Sequence, residues 1–155
     1  MSAAGAHPAV GAIALVRDGA GRLLLVWQKS GPFTGSWLLP GGRVESAEGV
    51  SQAAARELHE ETGLIATDAR LLVTYQTSSD PPGAYDLTVF LYAMVASGEL
   101  SAESGSKVGW FDPAALENPH PTLRRVLADA HIRTDDDDGI AAALAAAGIR
   151  MERLG

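Results

Sequence analysis

Cysteine is missing from all 155 residues. Its absence rules out disulfide staples, thiolate metal ligands and a thiol nucleophile, and it is compatible with a reducing compartment. Cations are scarce: 12 Lys and Arg stand against 19 Asp and Glu, a net charge of −7. A chain so balanced lacks the basic face that neutralises a phosphate backbone, so no nucleic-acid partner is expected. No apolar run approaches the roughly 20 residues that span a bilayer. The run Val10 to Val16 stops at Arg17-Asp18, and the N-terminus has no basic start. Neither a signal peptide nor a membrane partner is read, and a cytoplasmic location is expected. Familiar motifs are lacking too: there is no P-loop and no G-x-G-x-x-G, and His59-Glu60 fails as a zinc-protease pair because Gly63 fills the second histidine position. The acidic run Asp135 to Asp138 is not a calcium loop. With Gly139 at the obligatory glycine, Ala145 falls where a bidentate glutamate is required.

What is present suits one domain over 1–155, with 46% hydrophobic residues and enough length to bury a core. Residues 1–8 read as a loose tail. Ala9 to Arg17 and Arg22 to Gln28 are rich in Val, Leu and Ile and meet at Asp18-Gly19-Ala20-Gly21, a hairpin-like turn signal. Trp37 to Leu39 is a short strand broken at Pro40-Gly41-Gly42. A helix should begin near Gly49, run through Ala53-Ala54-Ala55 and close at Gly63, with Ala54 and Leu58 facing the sheet. Leu64 to Thr77, Tyr85 to Ala96 and Lys107 to Phe111 read as strands, and Pro121 to Ile132 as a helix. Residues 134–155 read as a C-terminal extension with a short helix, Ile140 to Ala147, whose N-terminus takes the acidic run.

The chemistry concentrates between Gly42 and Leu64. On a helix, Glu57, Glu60 and Glu61 stand at i, i+3 and i+4 on one face. Like charges at that spacing cost a few tenths of a kcal/mol per pair, roughly. Such a stripe is ordinarily a solvated face. With Glu48 arriving from the preceding loop it is also a cluster of hard oxygens suited to Mg²⁺ or Mn²⁺. Gly41 and Gly42 let the backbone approach that cluster closely. Lys29 is a candidate phosphate contact, and Phe33, Tyr75 and Tyr85 compete between stacking on a base and filling the core.

The order Gly42, five residues, Glu48, seven residues, Arg56-Glu57-Leu58-His59-Glu60-Glu61-Thr62-Gly63-Leu64 fills every fixed position of G-x5-E-x7-R-E-U-x-E-E-x-G-U, where U is aliphatic. This segment resembles the signature of the Nudix hydrolases, and Gly35 to Glu45 is similar to the strand and glycine turn that precede it there. The resemblance implies an α/β fold, an α/β/α sandwich with a mixed β-sheet between helices. It implies Glu57 and Glu61 as metal ligands joined by Glu60, Glu48 as a further ligand or the base, and Arg56 as the residue that holds the box carboxylates in place. Many members carry one more glutamate shortly before a Trp-Phe pair like Trp110-Phe111. Lys107 stands there instead, so Glu48 or Glu60 is expected to act as base, with Glu99 and Glu103 nearby in the loop. The expected activity is divalent-metal-dependent cleavage of a nucleoside diphosphate linked to another moiety, ADP-ribose or a nucleotide sugar. The alternatives are a house-cleaning (d)NTP pyrophosphatase and a non-catalytic nucleotide-sensing module. Isopentenyl diphosphate isomerisation is disfavoured by the missing cysteine. The resemblance allows a homodimer.

Overall fold

The computed structural model describes residues 9–155; the expected tail lies outside the described residues. Strand β1 (Ala9–Val16) is the axis of the fold. It runs parallel to β6 (Asp86–Ser97) on one side and antiparallel to β4 (Gly41–Arg43) on the other. With β5 (Ile65–Ser79) and β8 (Ile149–Leu154) they form a mixed five-stranded sheet in the order β4-β1-β6-β5-β8. A second, antiparallel sheet is ordered β3 (Trp37–Leu38), β2 (Leu23–Trp27), β7 (Val108–Phe111).

The two-residue period of β1 divides the core. Ala12, Ala14 and Val16 pack with Ala53, Ala54 and Leu58 of helix α1 (Val50–Thr62). Leu15 and its neighbour Ile13 pack on the opposite side with Leu123, Val126 and Leu127 of helix α2 (Pro121–Asp129). The small alanines of β1 let α1 lie close to the sheet, which is what brings the box glutamates against β4. The architecture is the α/β/α sandwich that the resemblance implied.

Two features differ from expectation. The turn at Asp18 forms, its carboxylate accepting from the Ala20 and Arg22 N–H groups at 3.0 and 2.8 Å. The flanking strands share only one bridge, Arg17 with Leu23, before entering different sheets. Leu23 to Val26 are buried on both faces, and an ordinary hairpin would have left one face wet. The C-terminal segment holds helix α3 (Asp137–Ala146), with Asp136 accepting from Gly139 N–H at 3.0 Å, and then β8 as well. Ile140, Leu144 and Ile149 close a small core with Phe33, Ala128 and Met151. The last strand was not expected, because only Ile149 and Met151 of its alternating residues turn inward.

Candidate active site

Strand β4 and helix α1 build the site. Gly49 begins α1 in an extended conformation, its N–H donating to Gln52 Oε1 at 2.8 Å. Gly63 ends it at φ 78°, and Thr62 donates to the Leu58 carbonyl at 2.6 Å. Both glycines sit where a helix needs an unhindered backbone at its ends. Between these caps the exposed face presents Arg56, Glu57, Glu60 and Glu61.

Arg56 is the hub of the cluster. Its Nε and Nη2 donate to the two carboxylate oxygens of Glu48 at 2.6 and 3.0 Å, a bidentate pair. Its Nη1 donates to Glu57 Oε1 at 2.9 Å and Glu60 Oε2 at 3.3 Å, and Nη2 also reaches the Arg43 carbonyl at 3.0 Å. The Glu48 hydrogen bond, with Glu57 adding to it, holds the guanidinium firmly protonated. The same bond, helped by the Glu45 N–H, keeps the Glu48 carboxyl below its ordinary range. Arg56 thus contacts Glu48, Glu57 and Glu60 together.

Glu57 and Glu61 lie deeper. Burial, with the charges of Glu57, Glu103 and Glu60 adding to it, pushes Glu61 up to about 8, although the Gly41 N–H donates to its Oε1 at 2.8 Å. Burial also raises Glu57, partly offset by Arg56. Each carboxylate thus has one oxygen committed, Glu57 Oε1 to Arg56 and Glu61 Oε1 to Gly41, and its second oxygen uncommitted. Gly42 completes the cradle: a Cβ there would sit 2.6 Å from the Glu57 carboxylate carbon. Among the described residues no three acidic or histidine side chains converge on one point as they stand, since Arg56 draws Glu48 and Glu60 to itself. The donor chemistry still fits a hard divalent cation, because two desolvated, mutually repelling carboxylates are stabilised by a positive charge.

The remaining candidates separate. Lys29, expected at the phosphates, does not line the cavity: its ammonium donates to the Ser104 carbonyl at 2.7 Å and pairs with Glu103 at 3.0 Å, while Gln28 and Ser30 beside it are in the lining. Glu103 is the residue that sequence reasoning underweighted. Its loop is tied to β2 by Lys29 and by Ser106 Oγ donating to the Trp27 carbonyl at 2.7 Å, close enough for its charge to act on Glu57 and Glu61. The spacing to Trp110-Phe111 was the signal, blurred by loop residues. Lys107 lies 4.5 Å above the Trp27 ring as a cation–π pair. Tyr75 is core, donating to Asp129 Oδ2 at 2.7 Å. Phe33 makes an edge contact with Tyr85 at 5.6 Å and lines a cavity of about 490 Å³. Gly41, Gly42 and Arg43 line that cavity, whose walls are mainly apolar: Ile13, Leu39, Val89, Leu123 and Val126. Thr77 Oγ1, in its lining, is buried with no hydrogen-bond partner among the described residues.

Comparison with known proteins places this arrangement. The NUDIX domain matches residues 6–130. An ADP-ribose pyrophosphatase of Methanocaldococcus jannaschii is 36% identical over 105 residues, 68% of this chain and 62% of that protein. A putative 8-oxo-dGTP diphosphatase of Bacillus subtilis is 32% identical over 108 residues, 68% of each chain. The crystal structure of a MutT NUDIX hydrolase from Burkholderia pseudomallei superposes with a TM-score of 0.71 at 32% identity, covering 79% of this chain and 98% of that one. The chain belongs to the Nudix family, whose hydrolases generally use divalent metal ions. The matched segment spans less than two thirds of the archaeal relative.

Proposed function

We propose that the chain is a divalent-cation-dependent pyrophosphohydrolase acting on a nucleoside diphosphate linked to a second group, of the ADP-ribose or nucleotide-sugar type. The observation that carries this reading is the apolar cavity opening directly beside the Gly41–Arg43 strand. Its size and lining suit an uncharged nucleoside, with Gln28 and Thr77 as its polar contacts, while the diphosphate lies toward the acidic helix face. A cavity whose lining holds one cation, Arg43, is a poor seat for a densely phosphorylated ring. The archaeal relative that cleaves ADP-ribose supports the same choice.

In this reading Glu57 and Glu61 would hold Mg²⁺ or Mn²⁺, with Glu103 adding charge nearby. A divalent ion held there would neutralise diphosphate charge and lower the pKa of a bound water. Arg56 keeps Glu57 turned toward Gly42. Glu48, with both oxygens engaged, is poorly placed to accept a proton. Glu60, about half exposed and held by one 3.3 Å contact, is the freer base. Gly41 and Gly42 leave room for a phosphate at the strand. Residues 9–155 act as one domain, since α3 and β8 close the core that Phe33 shares with the cavity.

Product analysis tests this. ADP-ribose with Mg²⁺ should give AMP and ribose phosphate. The second reading, (d)NTP hydrolysis to monophosphate and pyrophosphate, draws on the same cavity and on the Bacillus relative, and would be preferred if nucleoside triphosphates turned over faster. Gln at both Glu57 and Glu61 should abolish either activity; unchanged turnover in that variant would overturn the metal assignment.

A further inference from the structure

The cavity beside the site is closed at its far end by a segment outside the family match. That match stops at residue 130, while α3 and β8 lie beyond it. The cavity's floor is one face of the main sheet and crosses all five strands. From the catalytic edge it runs over Arg43 of β4, Gly11 of β1, Val89 and Leu87 of β6 and Thr77 of β5, and it ends at Met151 of β8. Apart from the step along β6, each step is a direct cross-strand pair: Arg43 with Gly11, Gly11 with Val89, Leu87 with Thr77, Thr77 with Met151. With neighbouring strands about 4.8 Å apart, the floor extends roughly 19 Å across the sheet.

Met151 is set at that end by its neighbours. The Asp80 N–H donates to the Gly148 carbonyl at 2.9 Å, which fixes where β8 begins and so puts Met151 opposite Thr77. Met151 packs both on the core around Leu123 and Val126 and on the smaller one of Ile140, Leu144 and Ile149. Alternation leaves Arg150 and Glu152 exposed, and Met151 alone of β8 lines the cavity. Beside it is Thr77, whose buried hydroxyl has no partner among the described residues. An oxygen in that condition is satisfied when a ligand brings a polar atom to it. A purine laid across the strands with its phosphates at β4 carries its exocyclic amine toward this end, because that amine lies on the ring away from the glycosidic bond.

We propose that Met151 is a specificity-determining residue: carried by the C-terminal strand, it is the end stop of the nucleoside cavity and excludes nucleotides whose base bears a bulky group on the exocyclic amine. It takes this role provided that the cavity holds the nucleoside, as proposed above, whichever anhydride is cleaved. A methionine suits such a stop, since its unbranched side chain fills irregular space. Three strands separate β8 from β4, so shortening Met151 lengthens the cavity without disturbing the box carboxylates.

Calorimetric binding of AMP and GMP to the full chain, each with and without a benzyl group on its exocyclic amine, tests this. Wild type should bind the preferred plain nucleotide about tenfold or more tightly than its benzyl derivative. Met151→Ala should bring the two within about threefold of one another, by gaining affinity for the benzyl form. A gain of binding cannot come from partial unfolding. Met151→Phe should do the reverse, weakening the plain nucleotide about tenfold and raising KM for ADP-ribose while kcat holds. Glu152→Ala, on the exposed side of the same strand, should change neither. Equal affinity of wild type for plain and benzyl forms, unchanged discrimination in Met151→Ala, wild-type binding by Met151→Phe, or no binding of either nucleotide would each overturn the proposal. The expected binding pattern without hydrolysis of ADP-ribose would uphold Met151 and overturn the proposed substrate alone.

Discussion

A methyl group added at Gly41 and one added at Gly42 should have opposite consequences, although the residues are neighbours on one strand. At Gly42 the new Cβ would meet the Glu57 carboxylate, 2.6 Å from its carbon and from Oε1. Ordinary contact begins at 3.4 Å, so the carboxylate must retreat by about 0.8 Å. That is cheap for the fold, because the obstacle is the far end of a flexible side chain. Its Arg56 hydrogen bond is partly exposed and contributes under about 1 kcal/mol. For catalysis the displacement is expensive, since misplacing a positioning group by about 1 Å costs on the order of 100-fold in rate. Gly42→Ala should therefore lose about two orders of magnitude in kcat while keeping its melting temperature.

At Gly41 the added Cβ would lie 2.5 Å from the Ala12 carbonyl oxygen and 2.9 Å from Ile13 Cα, both backbone atoms of β1. Nothing flexible can yield there. Overpacking of this kind costs about 1–3 kcal/mol, which for a chain of this size lowers Tm by about 2–12 °C. Thermal unfolding by circular dichroism and phosphate release from ADP-ribose with Mg²⁺, measured on the two variants in parallel, decide the matter. The reasoning is refuted if Gly42→Ala turns over like wild type, or if it melts as low as Gly41→Ala.

Two further outcomes follow from groups away from that strand or below it. In chelator, Glu61 has a folded pKa of about 8 against an ordinary 4.5; the fold favours the protonated form, so Glu61's contribution to stability is present at low pH and lost as pH rises through about 8. Tm should then fall between about pH 4.5 and 8 more steeply in wild type than in Glu61→Gln, and equal slopes would contradict the burial of that carboxyl. Tyr75→Phe removes the 2.7 Å hydrogen bond to Asp129, whose only other side-chain partner among the described residues, Arg125, is 3.9 Å away. The loss should cost about 1.5–3 kcal/mol, seen as a lower denaturation midpoint at unchanged m, with kcat retained.

How much of this was readable beforehand depends on how local the cause is. Helix α1 was legible end to end because its caps, its alanines and its acidic face lie within a few residues of one another. The partition of the core by β1 was half legible: alternation marks a strand, but nothing in Ala9 to Arg17 says that β2 departs to another sheet. That follows from Leu23 to Val26 being buried on both faces, a property of what surrounds them. Lys29 read as a phosphate contact because its sign was right. Its direction was set by Gln28 and Ser30 turning toward the cavity and by a carboxylate at Glu103, far along the chain.

The same distinction governs the site. The four box glutamates are recognisable from spacing, yet spacing treats them as equivalent, and the fold does not. Arg56 captures both oxygens of Glu48, leaves Glu60 about half in solvent, and takes one oxygen of Glu57, while β4 presses a backbone N–H against Glu61 in a dry setting. What separates ligand from base is thus how much water and how many donors each carboxylate retains, and both are decided by a glycine strand that β1 holds in register. A carboxylate that is buried, repelled by its neighbours and left with one open oxygen is stabilised by a cation more than by a proton relay. One that is exposed and loosely held can take up a proton and release it. The division of labour proposed for Glu57 and Glu61 against Glu60 therefore rests on β4, and any change that shifts that strand should disturb metal affinity before it disturbs the helix.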